Sequence, residues 1–233
     1  MLKPYKNLTL PDEHKFIPAE KYAHYSDEEI IEKIQQGSTS LFEVIVRRYN
    51  QRLFRIQRSY ISDESAIKDT LQLTYIKAFE SLESFRGEAL FSTWITRIAI
   101  HEALKYLKRE KRYSRLHIVD EVKPDRDHQM ENKESPEKQA IRKDLKHLLE
   151  KTVNRLAPKY RTVYIMREIE EMSTKETAEC MNISRANVKI RLHRAKQMIR
   201  EDLERSVADT EIFNFRGSQC DLMVYRVMCA IKA

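Results

Sequence analysis

Glycine occurs only three times in the 233 residues of this chain, and proline only six times. An all-β fold needs many tight turns, and tight turns depend heavily on these two residues. Long stretches are instead rich in Glu, Lys, Arg, Leu, Ile and Ala, which lose the least conformational entropy in a helix. The sequence therefore predicts an all-α fold, and its length allows one or two domains that each have a core.

The composition restricts both the cellular compartment in which we expect the protein and the kinds of partner it can bind. The formal net charge of +7 is compatible with a polyanionic partner, although many ordinary proteins share it. No apolar run approaches the ~20 residues that span a bilayer, and the N-terminus lacks a secretion signal. Cys180, Cys220 and Cys229 are odd in number and lack CxxC spacing, which argues against disulfides and zinc. We expect a cytoplasmic protein without membrane insertion, metal or cofactor.

Periodicity divides the chain into two small helical domains. Residues 1–25 form a proline-containing arm with no sustained period. The first helical domain, 26–114, begins where Ser26 and Glu29 have the spacing of a capping box. Residues 115–136 have the composition of a flexible acidic linker. A second helical domain spans 137–204, and a more apolar appendage covers 205–233.

The second domain has the pattern of a helix-turn-helix in MSTKETAECMNISRANVKIRLHRAKQMIRE. Ser173 is expected to cap a first helix that ends near Met181. Asn182 lies at the turn, where a left-handed backbone is expected and Asn is well tolerated. Ser184 is expected to cap the second helix, whose inward stripe consists of Val188, Leu192, Ala195 and Ile199.

The second helix of this motif carries no acidic residue between positions 185 and 200. A recognition helix presents its N-terminal residues to base edges and uses further basic side chains on phosphates. The alternative is a structural helical hairpin with a solvated basic face. The candidate residues for DNA contact are Ser184, Arg185, Asn187, Lys189, Arg191 and Arg194.

The first domain contains a glycine loop, FRGE, followed by an apolar helix that ends in a basic run. Aromatic side chains beside cations suit single-stranded DNA, because the rings stack on bases and the charges meet the backbone. Trp94 also lies at helical spacing with Ile95, Ile98 and Ala99, so a place in the core is the alternative.

These segments resemble the extracytoplasmic-function (ECF) sigma factors of bacterial RNA polymerase. DTLQLTYIKAFESLESFRGEALFSTWITRIAIHEALKYLKR resembles the promoter-opening domain of the family. The helix-turn-helix, preceded by LAPKYRTVYIMREIEEMS, resembles the upstream-element domain. The resemblance covers residues 26–204, and the two motifs in this order are highly specific. It implies a factor without enzymatic activity that binds core RNA polymerase and directs promoter recognition, DNA melting and transcription initiation.

The resemblance also assigns a polymerase-binding helix. In the family, the helix that matches Asp69–Leu82 docks on the clamp helices of the largest catalytic subunit of the polymerase. The position after Gln72 is usually acidic in the family and is Leu73 here. The polymerase-binding residues implied in this way are Asp69, Gln72, Leu73 and Lys77.

Promoter contacts follow from the same resemblance. The loop and the helix after it match the family's reader of the minus-ten element, which captures a flipped base from the melted strand. Relatives often have Asn at the position of His101 and Gly at the position of Asn182. The linker matches the segment that runs through the active-site cleft of the polymerase. The minus-ten residues implied are Phe85, Arg86, Gly87, His101, Lys105 and Lys108.

Other interpretations stay open at this point. A stand-alone helix-turn-helix regulator would bind its operator without polymerase. Such a regulator has no need of the FRGE loop, nor of the helix after it that contains Trp94 and ends in a basic run. An enzyme acting on DNA would need paired carboxylates, a metal cluster or a phosphate loop, and the sequence has none at a useful spacing. An anti-sigma factor is an allowed partner. The appendage is a short packed helix, a docking surface for a regulator, or the carrier of a redox pair, Cys220 and Cys229.

Overall fold

The computed structural model describes residues 22, 24–116, 136–208 and 228. Every regular element in these ranges is helical, which confirms the all-α prediction for the part described. Most of the arm, the linker and the appendage lie outside these residues, and so do the alternatives for Cys220 and Cys229. No helix in the described ranges is both long and apolar enough to cross a membrane.

Four helices build the first unit. They are α1 (Asp27–Gln35), α2 (Phe42–Arg58), α3 (Glu64–Glu80) and α4 (Phe91–Leu116), with short 3₁₀ turns at Thr39–Leu41 and Leu82–Ser84. The predicted capping box starts α1, because Ser26 Oγ accepts the Glu29 N–H and the Glu29 carboxylate accepts the Ser26 N–H. The core buries side chains from all four helices, with Ile45, Leu53 and Ile95 fully enclosed.

The second unit contains the remaining four helices. They are α5 (Pro136–Arg155), α6 (Pro158–Tyr164), α7 (Thr174–Met181) and α8 (Arg185–Ala208). The last helix continues four residues past the predicted end at Glu204. A single π turn, Ile165–Ile169, extends α6 and ends at Glu170. The core buries Val163, Ala178 and Val188 between α6, α7 and α8, and a second cluster holds Leu156, Ala195 and Ile199.

The two units touch each other directly, which the sequence did not predict. A shared cluster buries Ile56 and Ile100 of the first unit against Met166, Met172 and Cys180 of the second. Burial raises the pKa of the Cys180 thiol to about 12, so this cysteine stays protonated at neutral pH.

Candidate nucleic-acid interface

The turn between α7 and α8 has the predicted chemistry at each position. Ser173 and Glu176 form a second capping box at the start of α7. Asn182 ends α7 in the left-handed conformation, with φ 51° and ψ 51°. Ser184 Oγ then accepts the Asn187 N–H at 3.1 Å and caps α8. Together, the capping box of α7, the left-handed Asn182 and the Ser184 cap fix the direction in which α8 leaves the turn.

The inner face of α8 anchors it in the second unit. Val188 and Ala195 are fully buried, Ile199 is nearly so, and Leu192 packs partly buried beside Val188. This agrees with the predicted stripe. Because the inner face is held by packing, the opposite face is presented rigidly to the surroundings.

The outer face of α8 carries the predicted base-reading residues. Arg185 and Lys189 are exposed. Arg191 Nε donates to Asn187 Oδ1 at 2.9 Å, so these two partly exposed side chains act as a pair. Arg194 lies 3.5 Å from the Tyr160 hydroxyl, and this contact holds the pKa of that tyrosine below its usual value.

One basic side chain of α8 is neutralised. Lys196 forms an ion pair of 2.7 Å with Glu168, which lies on the π turn after α6. Lys196 is exposed on the surface of α8, and the ion pair offsets its charge there. The exposed cations in the N-terminal half of α8 are those predicted to enter the groove.

The glycine loop of the first unit is backed by three aromatic rings. Phe85 lies 5.2 Å from Trp94 and 5.5 Å from Phe91 between ring centroids, and Phe91 lies 5.4 Å from Trp94. Phe91 is buried, whereas Phe85 and Trp94 are only partly buried. Trp94 thus packs against the core and still has accessible surface, so both alternatives for it describe part of its environment.

The tip of that loop is open to solvent. Gly87 has φ +71°, a backbone conformation that favours glycine, and no heavy atom beyond its own chain neighbours lies within 4 Å of where its Cβ would be. Arg86 beside it is exposed. A glycine with no side chain, beside an exposed cation and partly exposed rings, can approach an unstacked base closely.

The outer edge of α4 continues from this loop. His101, Lys105 and Lys108 are exposed and recur at spacings of four and three, which places them on one face of the helix. Lys105 is not free, because its Nζ lies 2.9 Å from Glu102 Oε1. His101 and Lys108 are therefore the open members of the predicted minus-ten set on this helix.

A carboxylate that the sequence reasoning missed joins α3 to α4. Glu102 has a side chain 7% exposed, and Lys77 Nζ lies 2.5 Å from its Oε1. Burial opposes its ionisation, but the hydrogen bonds from Lys77 and Lys105 outweigh burial, so the pKa of Glu102 lies below its ordinary value. The only sequence signal was a single acid beside the apolar residues Ile100, Ala103 and Leu104 of α4.

The predicted polymerase-binding residues separate into two groups. Asp69 and Gln72 are exposed on the outer face of α3, and Leu73 is partly exposed. Lys77 instead forms an ion pair with Glu102 of α4, inside the unit.

In the described ranges, no three His, Cys, Asp or Glu side chains come together as metal ligands.

Comparison with known proteins agrees with these two units. The Sigma-70 region 2 family profile matches residues 45–113, and the Sigma-70, region 4 profile matches residues 146–199. The ECF RNA polymerase sigma-E factor of Haemophilus influenzae is 30% identical over 182 residues, which cover 77% of this chain and 96% of that protein. The RNA polymerase sigma-H factor of Pseudomonas aeruginosa is 29% identical over 181 residues, covering 76% and 94%.

Solved structures share the fold at lower identity. The sigma factor RpoE of Bartonella quintana, in complex with the anti-sigma factor NepR, has a TM-score of 0.60 at 18% identity, covering 70% of this chain and 96% of that one. CnrH, in complex with the cytosolic domain of CnrY, has a TM-score of 0.54 at 22% identity, covering 76% and 97%. The sequence relatives and the two matched regions decide the family: this chain belongs to the ECF sigma factors of RNA polymerase, which direct promoter recognition at transcription initiation.

Proposed function

We propose that the chain divides initiation between its two units. The first unit binds core RNA polymerase through α3 and opens the minus-ten element with the Phe85–Gly87 loop and α4. The second unit reads the minus-thirty-five element as duplex through α8. The proposal rests mainly on the N-terminal half of α8. The outer face of this half is basic and has no acidic residue, and its inner face is a buried apolar stripe.

The upstream assignment is supported by the side chains on that face. Arg191 and Asn187 are hydrogen-bonded to each other and partly exposed, and a guanidinium and an amide are groups suited to base edges in the major groove. Arg185, Lys189 and Arg194 surround them with positive charge for the phosphates. Ser184 stands at the mouth of the helix, where backbone N–H groups also favour a phosphate.

The minus-ten assignment is supported by the aromatic pocket behind the loop. Phe85 and Trp94 leave ring surface accessible beside Arg86, while His101 and Lys108 extend the site along α4. Stacking surface next to cations is what a melted strand requires. The proposed ligand of this unit is therefore the single strand.

The polymerase assignment is supported by exposure. Asp69, Gln72 and Leu73 face outward from α3, on the side away from the core of the unit. Lys77 contributes by holding α3 to α4 through Glu102. A surface carboxylate and amide on a rigid helix suit a partner helix with basic and polar side chains.

We also propose that the protein acts in the cytosol and has an anti-sigma factor as a partner. The support is by analogy with the fold neighbour from Bartonella quintana, whose structure contains an anti-sigma factor.

The experiment is transcription with core polymerase and the purified full chain. We expect promoter-dependent start sites with both components, and weak, poorly selective duplex binding by the chain alone. Two small reading units on a linker bind well only when polymerase aligns them. Tight, specific binding to a promoter fragment without polymerase would support a stand-alone regulator instead.

A further inference from the structure

The outward face of α8 carries a large apolar side chain in its basic N-terminal half. Ile190 is 53% exposed, so more than half of its surface is open to water. It follows the fully buried Val188 by two residues, which is roughly 200° around an α-helix. Ile190 therefore points away from the core of the second unit, on the side of α8 that is proposed to enter the major groove.

The surface neighbours of Ile190 include residues already proposed to contact DNA. Residues three and four positions apart are adjacent on the surface of a helix. Ala186 and Asn187 precede Ile190 by four and three positions, and His193 and Arg194 follow it by three and four. Asn187 and Arg194 are two of the proposed DNA contacts. A duplex that meets both of them also covers Ile190.

The end of the Ile190 side chain lies over a small residue. Helix side chains lean toward the N-terminus, so Ile190 leans over the turn that contains Ala186. Ala186 is itself exposed and carries a single methyl group. A base edge can thus reach the branched end of Ile190 above this small residue.

Helix stability does not account for an isoleucine at this position. β-Branched side chains lose χ1 freedom in a helix, and Ile ranks below Lys, Arg, Gln and Glu in helix propensity. A side chain that stays half in water also gains little from burial. Single exposed apolar side chains are common on proteins. What sets Ile190 apart is its position among side chains that are proposed to read DNA.

We infer that Ile190 contacts the C5-methyl group of a thymine in the minus-thirty-five element, and that α8 thereby reads thymine at one position. This inference rests on the proposed function and adds a base contact to it. Thymine presents a methyl group in the major groove, and apolar side chains recognise it there.

The same side chain discriminates against the other bases. Adenine, guanine and cytosine present hydrogen-bonding groups to the major groove and no methyl group. The side chain of Ile190 has neither a donor nor an acceptor, so it would cover such a group and deprive it of water. A phosphate would gain nothing from Ile190 either, whereas the exposed Lys189 and Arg194 suit it. A methyl contact is therefore the base-specific interaction that fits Ile190.

The test removes single methyl groups from the DNA. Wild-type holoenzyme, made from core polymerase and the full chain, first selects its preferred minus-thirty-five element from a randomised duplex library. Each thymine of the selected element, on either strand, is then replaced by deoxyuridine, which lacks the C5-methyl group and still pairs with adenine. At one position we expect a loss of affinity of about fourfold, the effect of one buried methyl group.

Variants of Ile190 assign that loss to its side chain. Ile190→Ala should bind the unmodified element more weakly by about fourfold or more, and deoxyuridine at that position should then change its affinity by less than about twofold. Ile190→Val keeps a branched apolar side chain and should keep most of the response. Met198→Ala is the matched control, because Met198 is also an exposed apolar residue of α8 and lies about two turns further along. Its response to deoxyuridine should equal that of the wild type.

Salt dependence separates a methyl contact from an electrostatic one. Ile190→Ala removes no charge, so the slope of affinity against salt concentration should equal that of the wild type. Lys189→Ala, one position away, removes an exposed cation and should reduce that slope by about 1. An equally reduced slope in Ile190→Ala would count against the inference, because it would mean that the substitution shifts α8 on the DNA.

The outcomes for Ile190 and for the proposed function differ. A selected element without thymine, a deoxyuridine scan with no loss at any position, or a loss that persists in Ile190→Ala would each overturn the role of Ile190 and leave the sigma function intact. A wild-type holoenzyme that selects no minus-thirty-five sequence would instead contradict the proposed function.

Discussion

Arg191 Nε donates to Asn187 Oδ1 at 2.9 Å across one turn of α8, so two residues predicted to read bases form a single unit. The bond uses one of the five N–H donors of the guanidinium and leaves the amide N–H₂ of Asn187 available. It also fixes two otherwise flexible side chains before DNA arrives. A pre-organised pair loses less conformational entropy on binding than two independent side chains would.

The first prediction concerns this pair. Arg191→Ala or Asn187→Ala should cost ~1–3 kcal/mol of binding and relax the preference at one upstream base pair. Because the side chains share a hydrogen bond, the double variant should lose less than the sum of the two. Holoenzyme binding to a library randomised in the upstream element measures this. Arg200→Ala is the control and should weaken all sequences alike; uniform losses for every variant would contradict the assignment.

The second prediction concerns polymerase docking. Asp69→Arg reverses an exposed charge on α3, so assembly with core polymerase should weaken while helix content is unchanged. Glu32→Arg makes the same change on the exposed side of α1 and should assemble like the wild type. Pull-down with tagged core polymerase compares the two. Wild-type assembly of Asp69→Arg would remove α3 from the interface.

The third prediction concerns the turn of the helix-turn-helix. Asn182 has φ 51°, a conformation that Gly adopts freely and β-branched residues resist. Asn182→Gly should therefore keep the free energy of unfolding within about 0.5 kcal/mol, whereas Asn182→Val should lower it by ~1–2 kcal/mol. Urea unfolding gives both values. Equal stability of the two variants would mean that the turn relaxes to another conformation.

Local features of this fold were predictable from the sequence. The capping box at Ser26, the cap at Ser173, the left-handed Asn182 and the buried stripe of α8 each depend on residues within a few positions of one another. Propensity, capping and periodicity act over that range, so reading the chain was enough to predict them. The all-α class and the direction of the basic face of α8 follow from the same local rules.

Contacts between distant segments were not predictable. Glu170 meets Arg55 across 115 positions, and Lys77 meets Glu102 from a neighbouring helix. Periodicity indicates which face of a helix is buried, but not what covers it. Part of the apolar face of α2 and of α4 is covered by the other unit, and nothing in the spacing of these residues indicates that partner.

The fourth prediction is a pH dependence carried by Glu102. Its folded-state pKa lies below the unfolded value of about 4.3, so its contribution to stability is fully present above that value and is lost as pH falls through the folded pKa. Glu102→Gln should lower the free energy of unfolding by about 1–3 kcal/mol at pH 7. The difference from wild type should shrink below about pH 4. A difference that is constant down to pH 3 would mean that the carboxylate charge is not what holds α3 to α4.

The last prediction concerns His101, which is exposed on α4 at the position where the family resemblance leads us to expect Asn. An Asn amide presents a donor and an acceptor side by side and can pair with two atoms of one base edge, whereas neutral His carries them on opposite sides of its ring. His101 can instead stack on a base beside Lys108. His101→Asn should therefore change which minus-ten base is favoured without abolishing initiation. Transcription from a library randomised across the minus-ten element compares the two proteins, with Lys111→Asn on the same helix as the control for a surface change. Identical base preferences of wild type and His101→Asn at every position would show that His101 does not read DNA.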